Sequence, residues 1–324
     1  MTGARQAALE VLASGNLNSI QDRGRRHALG MGVSVGGAMD RFALEVANLL
    51  VGNDRDAAGI EVVFFPFRIR FLQDTIFALT GADANPVLDG EPIPPWWARQ
   101  ARAGQTLVLG APQGGVSSYL AVRGGLDVPQ VLGSRATDRK AHFGGLEGRG
   151  LERGDRLSVC PAMGAVRSCP ETGWGARIDT LRNGDAVRVL PAAEWACFQP
   201  EARDIFLHDG WTVTAQANRA GYRLDGRELQ LCHPLNLMSH GIVPGTVQVP
   251  PAGLPIIQMA DANTCGGYPK IATVIEADLG CVAQVPVGGT IRFALATREE
   301  ARQALRARQA FLAALTNDLR MIFQ

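Results

Sequence analysis

Arg153-Gly-Asp-Arg-Leu-Ser-Val159 reads as a tight turn that feeds a strand. Gly154 and Asp155 supply turn chemistry, and Leu157 and Val159 then alternate with polar neighbours. The pattern returns as Asn183-Gly-Asp-Ala-Val-Arg-Val189 and as Val287-Gly-Gly-Thr-Ile-Arg-Phe293. The first copy predicts the close of one β unit and the last the close of a second. Between such turns lie short strand candidates at 9–12, 59–65, 68–72, 76–79, 105–109 and 118–122, with turns at Leu88-Asp-Gly90 and Gln113-Gly-Gly115. Further strands are expected near 186–190, 211–215, 245–249, 255–259 and 271–275. This is β spacing rather than strand–helix alternation, so the fold class is mainly β with few helices.

Residues 1–8 read as a loose leader, and the Gly- and charge-rich segment 19–40 as an ordered loop system. Pro161, Gly164, Pro170, Gly173 and Gly175 predict a linker near 160–185. Two helices stand out. One is capped by Asp40, carries Phe42, Ala43, Val46, Leu49 and Leu50 on one face, and ends at Gly52. The other runs over 298–320 behind a Thr297/Glu300 capping box. Its face of Ala301, Ala304, Leu305, Leu312, Leu315 and Leu319 is interrupted by Arg308, and it should dock on the body or on a partner. The expected organisation is therefore a β unit over 9–160, a second over 185–296 and a terminal helix over 297–322.

With 324 residues, 46% hydrophobic, the chain can bury a large core. A net charge of +1 gives no basic footprint for nucleic acid or an anionic membrane. The six cysteines form no C-x-x-C pair, and no secretory signal pattern opens the chain, so free thiols in a cytoplasmic protein are expected. Basic residues are nearly all arginine; Lys140 and Lys270 are the two lysines.

Several motifs fail on context. Gly32-Val-Ser-Val-Gly36 matches a serine nucleophile elbow, but no buried strand precedes it. Gly30 to Gly36 lacks the βαβ setting of a dinucleotide site, and no P-loop lysine motif exists. The histidines show no metal-ligand spacing, so no metal is expected, and neither lysine has the methionine neighbours of a biotin attachment site. What remains is a set of polar loops: Gln21-Asp-Arg-Gly-Arg25, Gly133-Ser-Arg-Ala-Thr-Asp138, Ser239-His-Gly241 and Asp261-Ala-Asn-Thr-Cys-Gly-Gly-Tyr-Pro-Lys270. The last precedes an apolar β-branched run, and arginines or a lysine among glycine N–H groups could hold a carboxylate or polarise an amide.

The longer motifs match one family. They are Ser19-Ile-Gln-Asp-Arg-Gly-Arg25, Gly37-Ala-Met-Asp40, Ala47-Asn-Leu-Leu-Val-Gly-Asn53, Tyr119-Leu-Ala-Val-Arg-Gly-Gly-Leu-Asp-Val-Pro129, Leu132-Gly-Ser-Arg-Ala-Thr-Asp138, Gly144-Gly-Leu-Glu-Gly-Arg149, Val243-Pro-Gly-Thr-Val-Gln-Val-Pro250 and Gly266-Gly-Tyr-Pro-Lys270. In these the chain resembles the carboxyltransferase-like family. That family includes the C-type component of bacterial ATP-dependent 5-oxoprolinase, the antagonist of a sporulation kinase inhibitor, the second allophanate-hydrolase-like subunit and the carboxyltransferase part of urea carboxylase. The resemblance implies two cyclophilin-like β-barrel units, and as partners a subunit-A-like and a subunit-B-like protein.

Ser239-His-Gly241, Asp261-Ala-Asn-Thr264 and Glu299-Glu-Ala301 are most similar to the 5-oxoprolinase branch, which implies hydrolysis of a lactam in a complex. ATP would be a co-substrate of the complex, held without a P-loop on this chain or on another subunit. Two alternatives follow from the same resemblance. One is a biotin-dependent carboxyltransferase acting on a urea-like or amide substrate, with biotin carried elsewhere. The other is a non-catalytic antagonist of a subunit-B-like protein. In the first reading Lys270, His240 and Arg135 carry the chemistry. Asp22, Arg25, Asp40, Thr137, Gln248, Asp261, Thr264, Gly266, Gly267 and Tyr268 shape the substrate pocket. The chain departs from many relatives at Gly36, where serine is common, and at Ala136 and Cys265, where hydroxyl residues are common.

Overall fold

A computed structural model describes residues 6–162, 164–166, 169–178 and 186–323. The chain divides into two compact units. One comprises Met1–Gly24, Asp40–Asp179 and Ala310–Gln324; the other comprises Arg25–Met39 and Thr180–Gln309.

The first unit holds two six-stranded antiparallel sheets. One runs in the order Arg156–Ser158, Ala7–Ala13, Phe67–Phe71, Thr106–Leu109, Val87–Leu88, Glu91–Pro92. The other runs Trp174–Gly175, Trp97–Ala101, Thr75–Asp83, Gln113–Val122, Gly59–Val62, Ser19–Gln21. Strand Phe67–Phe71 shows the expected alternation: Phe67, Ile69 and Phe71 are buried while Arg68 and Arg70 face water. Leu9, Phe67, Ile69 and Leu107 of one sheet share a core with Ile60, Phe77 and Leu120 of the other. The two-residue turn Asp89-Gly90 has positive φ at both positions, 48° and 90°, as a tight hairpin requires.

Helix α1 (Arg41–Leu50) is buried along almost its whole length. The Asp40 side chain accepts from Ala43 N at 3.1 Å, and Gly52 follows with φ +71°. Tyr119 ties this helix start to the sheet. Its hydroxyl accepts from the Asp40 N–H at 2.7 Å and donates to Glu61 Oε2 at 2.9 Å. Burial, and then the charges of Glu61 and Asp40, push the Tyr119 phenol well above its usual range.

The second unit is built on an eight-stranded sheet. Its order is Thr290–Ile291, Trp211–Val213, Gly221–Asp225, Ile256–Gln258, Thr246–Gln248, Lys270–Val274, Val187–Pro191, Phe293–Leu295. The two edge strands are separated in sequence only by Arg292, so the sheet curls back on itself into a nearly closed barrel. Phe198, Trp211, Val247, Ile257, Ile271 and Phe293 fill it. Helix α2 (Pro200–His208) lies against it, with Phe206 stacked on Phe293 at 4.5 Å between centroids. A short α3 (Leu279–Ala283) follows the strand Lys270–Val274.

The terminal α4 (Arg298–Asp318) opens on the expected capping box. Thr297 N donates to Glu300 Oε2 at 2.7 Å, and Glu300 N donates to Thr297 Oγ1 at 3.2 Å. Leu312, Leu315 and Leu319 are buried, whereas Leu305 is not. Arg308 donates to the carbonyls of Glu276 and Ala277.

Mainly β architecture with barrel units and a long final helix therefore holds, with local corrections. Ala7 and Ala8 belong to the first strand rather than to a leader; residues 1–5 lie outside the described residues. Gln113-Gly-Gly115 opens the strand Gln113–Val122 instead of forming a turn. Segment 19–40 contains a short strand, Ser19–Gln21, and a 3-10 turn, Arg26–Met31. Part of the segment read as a linker is ordered sheet: Trp174–Gly175 pairs with Trp97–Ala101, and the Trp174 indole donates to Leu50 O. The glycines there serve close approach, since a Cβ on Gly173 would sit 2.1 Å from Ala98 O. The Asn183-Gly184 turn lies outside the described residues.

Replacing Tyr119 by Phe strips the Glu61 carboxylate of this donor and the Asp40 N–H of its acceptor. The expected cost is about 1–3 kcal/mol, read as an earlier midpoint in chemical denaturation.

Candidate functional site

In the second unit the loop after Ala260 and the strand it feeds bring several of the anticipated residues together. Lys270 is the first residue of its strand and only 5% exposed. A bulge follows it, at Ile271, in the pairing with Thr246–Gln248: Val247 pairs with Ala272, but Gln248 pairs with Lys270. Bulges re-aim side chains, and this one sets the direction of the lysine. Its Nζ donates to Gly266 O at 3.0 Å and lies 3.4 Å from His240 Nδ1. His240 rides on a two-residue ribbon, where His240 pairs with Gly266 and Gly241 with Cys265. The same Nδ1 is 3.1 Å from Met238 O. Burial lowers the Lys270 pKa from the ordinary lysine value, and the charge of Glu194 opposes that shift.

Gln248 is buried beneath this loop. Its Oε1 accepts from Gln258 Nε2 at 3.0 Å, which turns its own amide N–H group toward Tyr268 O at 3.4 Å. Gly266 lets this amide lie close to the backbone, since a Cβ there would stand 2.5 Å from Gln248 Nε2 and the amide would have to shift. Tyr268 is half exposed, and Thr264 O accepts from Ile242 N.

A second cluster lies in the same unit. Arg219 grips Asp261 through both carboxylate oxygens, at 2.8 and 3.0 Å, and donates from Nη2 to Gly37 O at 2.6 Å. Gly36 N donates to Ala260 O at 2.9 Å, and Arg25 N to Val35 O at 2.7 Å. Gly36 has φ +63°, and a Cβ there would stand 3.1 Å from Arg25 Nη1. The departure from serine at this position thus leaves room for the buried guanidinium of Arg25. Arg219, Glu194 and Gln258 were not anticipated. Each is a single polar residue beside a turn or in a short strand, without a motif; the Asn218–Gly221 turn was the one local signal for Arg219.

The remaining anticipated residues belong to the first unit. Asp22 accepts from Gly24 N, Ser134 Oγ and Arg135 N, so it organises the 133–138 loop. Arg135 Nε donates to Val128 O at 3.0 Å. Thr137 is buried and donates to Ile20 O from both its N–H and its hydroxyl. Asp40 caps α1. Ala136 is fully buried, whereas Cys265 is exposed on the ribbon beside His240. Gly32 to Gly36 follows a 3-10 turn rather than a buried strand, which is no setting for a nucleophile elbow. Among the described residues no helix is long and apolar enough to cross a membrane.

The fold and these loops define a carboxyltransferase-type domain. Residues 31–295 match the family model "Carboxyltransferase domain, subdomain A and B", and the chain belongs to that family. It is 42% identical to the C-type component of 5-oxoprolinase from Escherichia coli over 303 residues, covering 94% of this chain and 96% of that protein. Identity to the corresponding 5-oxoprolinase component of Haemophilus influenzae is 41%, with the same coverage. Among solved structures, the K. lactis urea amidolyase superposes with a TM-score of 0.87 at 27% identity, over 96% of this chain and 20% of that one.

Arg219→Lys keeps a charge but cannot span both Asp261 oxygens and Gly37 O together. Arg219→Ala should lower stability by about 1–3 kcal/mol, with partial recovery in the lysine variant, measured by thermal and chemical unfolding.

Proposed function

We propose that this chain is the C-type component of an ATP-dependent 5-oxoprolinase, which opens the lactam of 5-oxo-L-proline to give L-glutamate. Near-full-length identity above 40% to that component from two bacteria carries this reading. The chemistry of the Lys270 loop agrees with it. A lactam amide is resonance-stabilised and needs activation; ATP supplies this as co-substrate of the complex by phosphorylating the amide oxygen. Lys270, desolvated and aimed past Gly266, stabilises negative charge as water adds to the activated carbon; the C–N bond then breaks with a proton delivered to the departing nitrogen, and a second water releases phosphate from the resulting acyl phosphate to give the carboxylate. His240, 3.4 Å from the Lys270 ammonium, transfers the proton. The Gln248 amide, Thr264, Gly266, Gly267 and Tyr268 shape the pocket, and Arg219 holds Asp261 at its edge. In the first unit Asp22 and Thr137 order the loop that carries Arg135, and Asp40 caps α1; in the second unit Arg25 N bonds to Val35 O. The working form is a cytoplasmic complex with subunit-A-like and subunit-B-like proteins, with ATP held on this chain or on another subunit.

The K. lactis urea amidolyase superposition favours a second reading, a biotin-dependent carboxyltransferase for a urea-like substrate. Avidin separates the two: it leaves ATP-dependent 5-oxoproline hydrolysis untouched and abolishes a biotin-dependent activity.

In the reconstituted complex Lys270→Ala should reduce turnover at least about 100-fold with the fold intact. The ammonium acts in its charged form and its pKa is lowered by burial. Wild-type activity should therefore fall on the alkaline side at a pH below the ordinary lysine range. Wild-type turnover in Lys270→Ala would exclude Lys270 from the chemistry.

A further inference from the structure

We propose that Glu194 is a positioning residue for Lys270: its buried carboxylate fixes the start of the lysine's strand and sets a negative charge near the ammonium. Glu194 Oε2 accepts from the Lys270 N–H at 3.0 Å. The bulge at this point breaks the regular pairing with Gln248, and the carboxylate takes up the N–H there. Glu194 is itself held. It follows the strand Val187–Pro191, Ala192 N donates to Ile271 O at 3.1 Å, and Glu194 O accepts from Cys197 N at 2.9 Å. The segment therefore folds over the end of the strand that carries Lys270, with its one carboxylate turned inward and buried.

The charge matters because of what else surrounds the ammonium. Its direct partners are a carbonyl, Gly266 O, and the ring of His240. Gln248, opposite in the strand pair, is neutral. Glu194 and His240 face Lys270 from the elements packed against it; Asp261, Cys265 and Tyr268 are ionisable neighbours on its own loop, and Asp261 is committed to Arg219. Burial disfavours the charged form of this lysine, and the charge of Glu194 opposes that shift. The proposal rests on the reading of Lys270 as a charge stabiliser, yet its first test needs no turnover.

The chain has two lysines, so Lys140 serves as an internal standard. Trace acetylation of the full chain with acetic anhydride, followed by mass spectrometry across pH, reports the protonation of each amine. Glu194→Gln keeps an acceptor oxygen for the N–H but removes the charge; Glu194→Ala removes both. In either variant the Lys270 midpoint should move to lower pH while that of Lys140 stays put. In the reconstituted complex the alkaline limb of 5-oxoproline hydrolysis should move in the same direction for Glu194→Gln. For Glu194→Ala, kcat should also fall about 10- to 100-fold as the ammonium loses its placement. An unmoved Lys270 midpoint in a folded variant overturns the electrostatic role, and an undiminished kcat in Glu194→Ala overturns the positional one. Absence of ATP-dependent turnover in the wild-type complex would overturn the functional reading while leaving the labelling result intact.

Discussion

Lys270 places an ammonium at the wall of a barrel core, one residue before Ile271 and Ala272, which are fully buried. A charge taken from water is costly unless dipoles or opposite charge replace the lost hydration. Here the replacement comes in parts: a carbonyl at Gly266, an imidazole at His240 and the carboxylate of Glu194, which accepts from the Lys270 backbone N–H. None of these cancels the charge by a direct ion pair, which leaves it available to a third party. Much of the surrounding sequence follows from that need. The bare backbone at Gly266 lets the Gln248 amide lie close beneath it, and the bulge turns the lysine away from the regular ladder.

The first unit solves a related problem with different groups. Glu61, paired with Tyr119 across two strands, is a buried carboxylate; the phenol supplies it a donor and offers its own acceptor capacity to the N–H at the start of α1. Asp22 works likewise, collecting donors from Gly24, Ser134 and Arg135. In each case one polar side chain joins segments distant in sequence, and a loop acquires a fixed shape.

The strands with alternating or β-branched residues, the capped α1 and the capping box of α4 were legible because their signals are local. Phe67-Arg-Ile-Arg-Phe71 declares its two faces, and Thr297 and Glu300 declare a helix start. Helix α2 was not legible: Pro200 at its first turn is a start signal, but its apolar residues are few, and Phe206 stacks on Phe293, far along the chain. Gly173 and Gly175 misled for the opposite reason. A glycine that admits a neighbouring backbone looks, in sequence, the same as one that frees a linker. The Lys270 loop was visible from its composition and family motifs, whereas Glu194, Arg219 and Gln258 were not. Their partners lie 76, 42 and 10 residues away, and nothing in their own neighbourhoods announces the pairing.

The ribbon bearing His240 differs in kind from the strand bearing Lys270. It has two residues a side, and the segment leading to it is largely exposed, with Met238 90% open to water. Local opening free energy scales with the buried contacts that must be broken, so this ribbon is the low-stability edge of an otherwise well-packed barrel. One half of the residue pair thus sits on a well-packed strand and the other on a two-residue ribbon at the barrel's edge, so opening the ribbon breaks fewer buried contacts than opening the strand that carries Lys270.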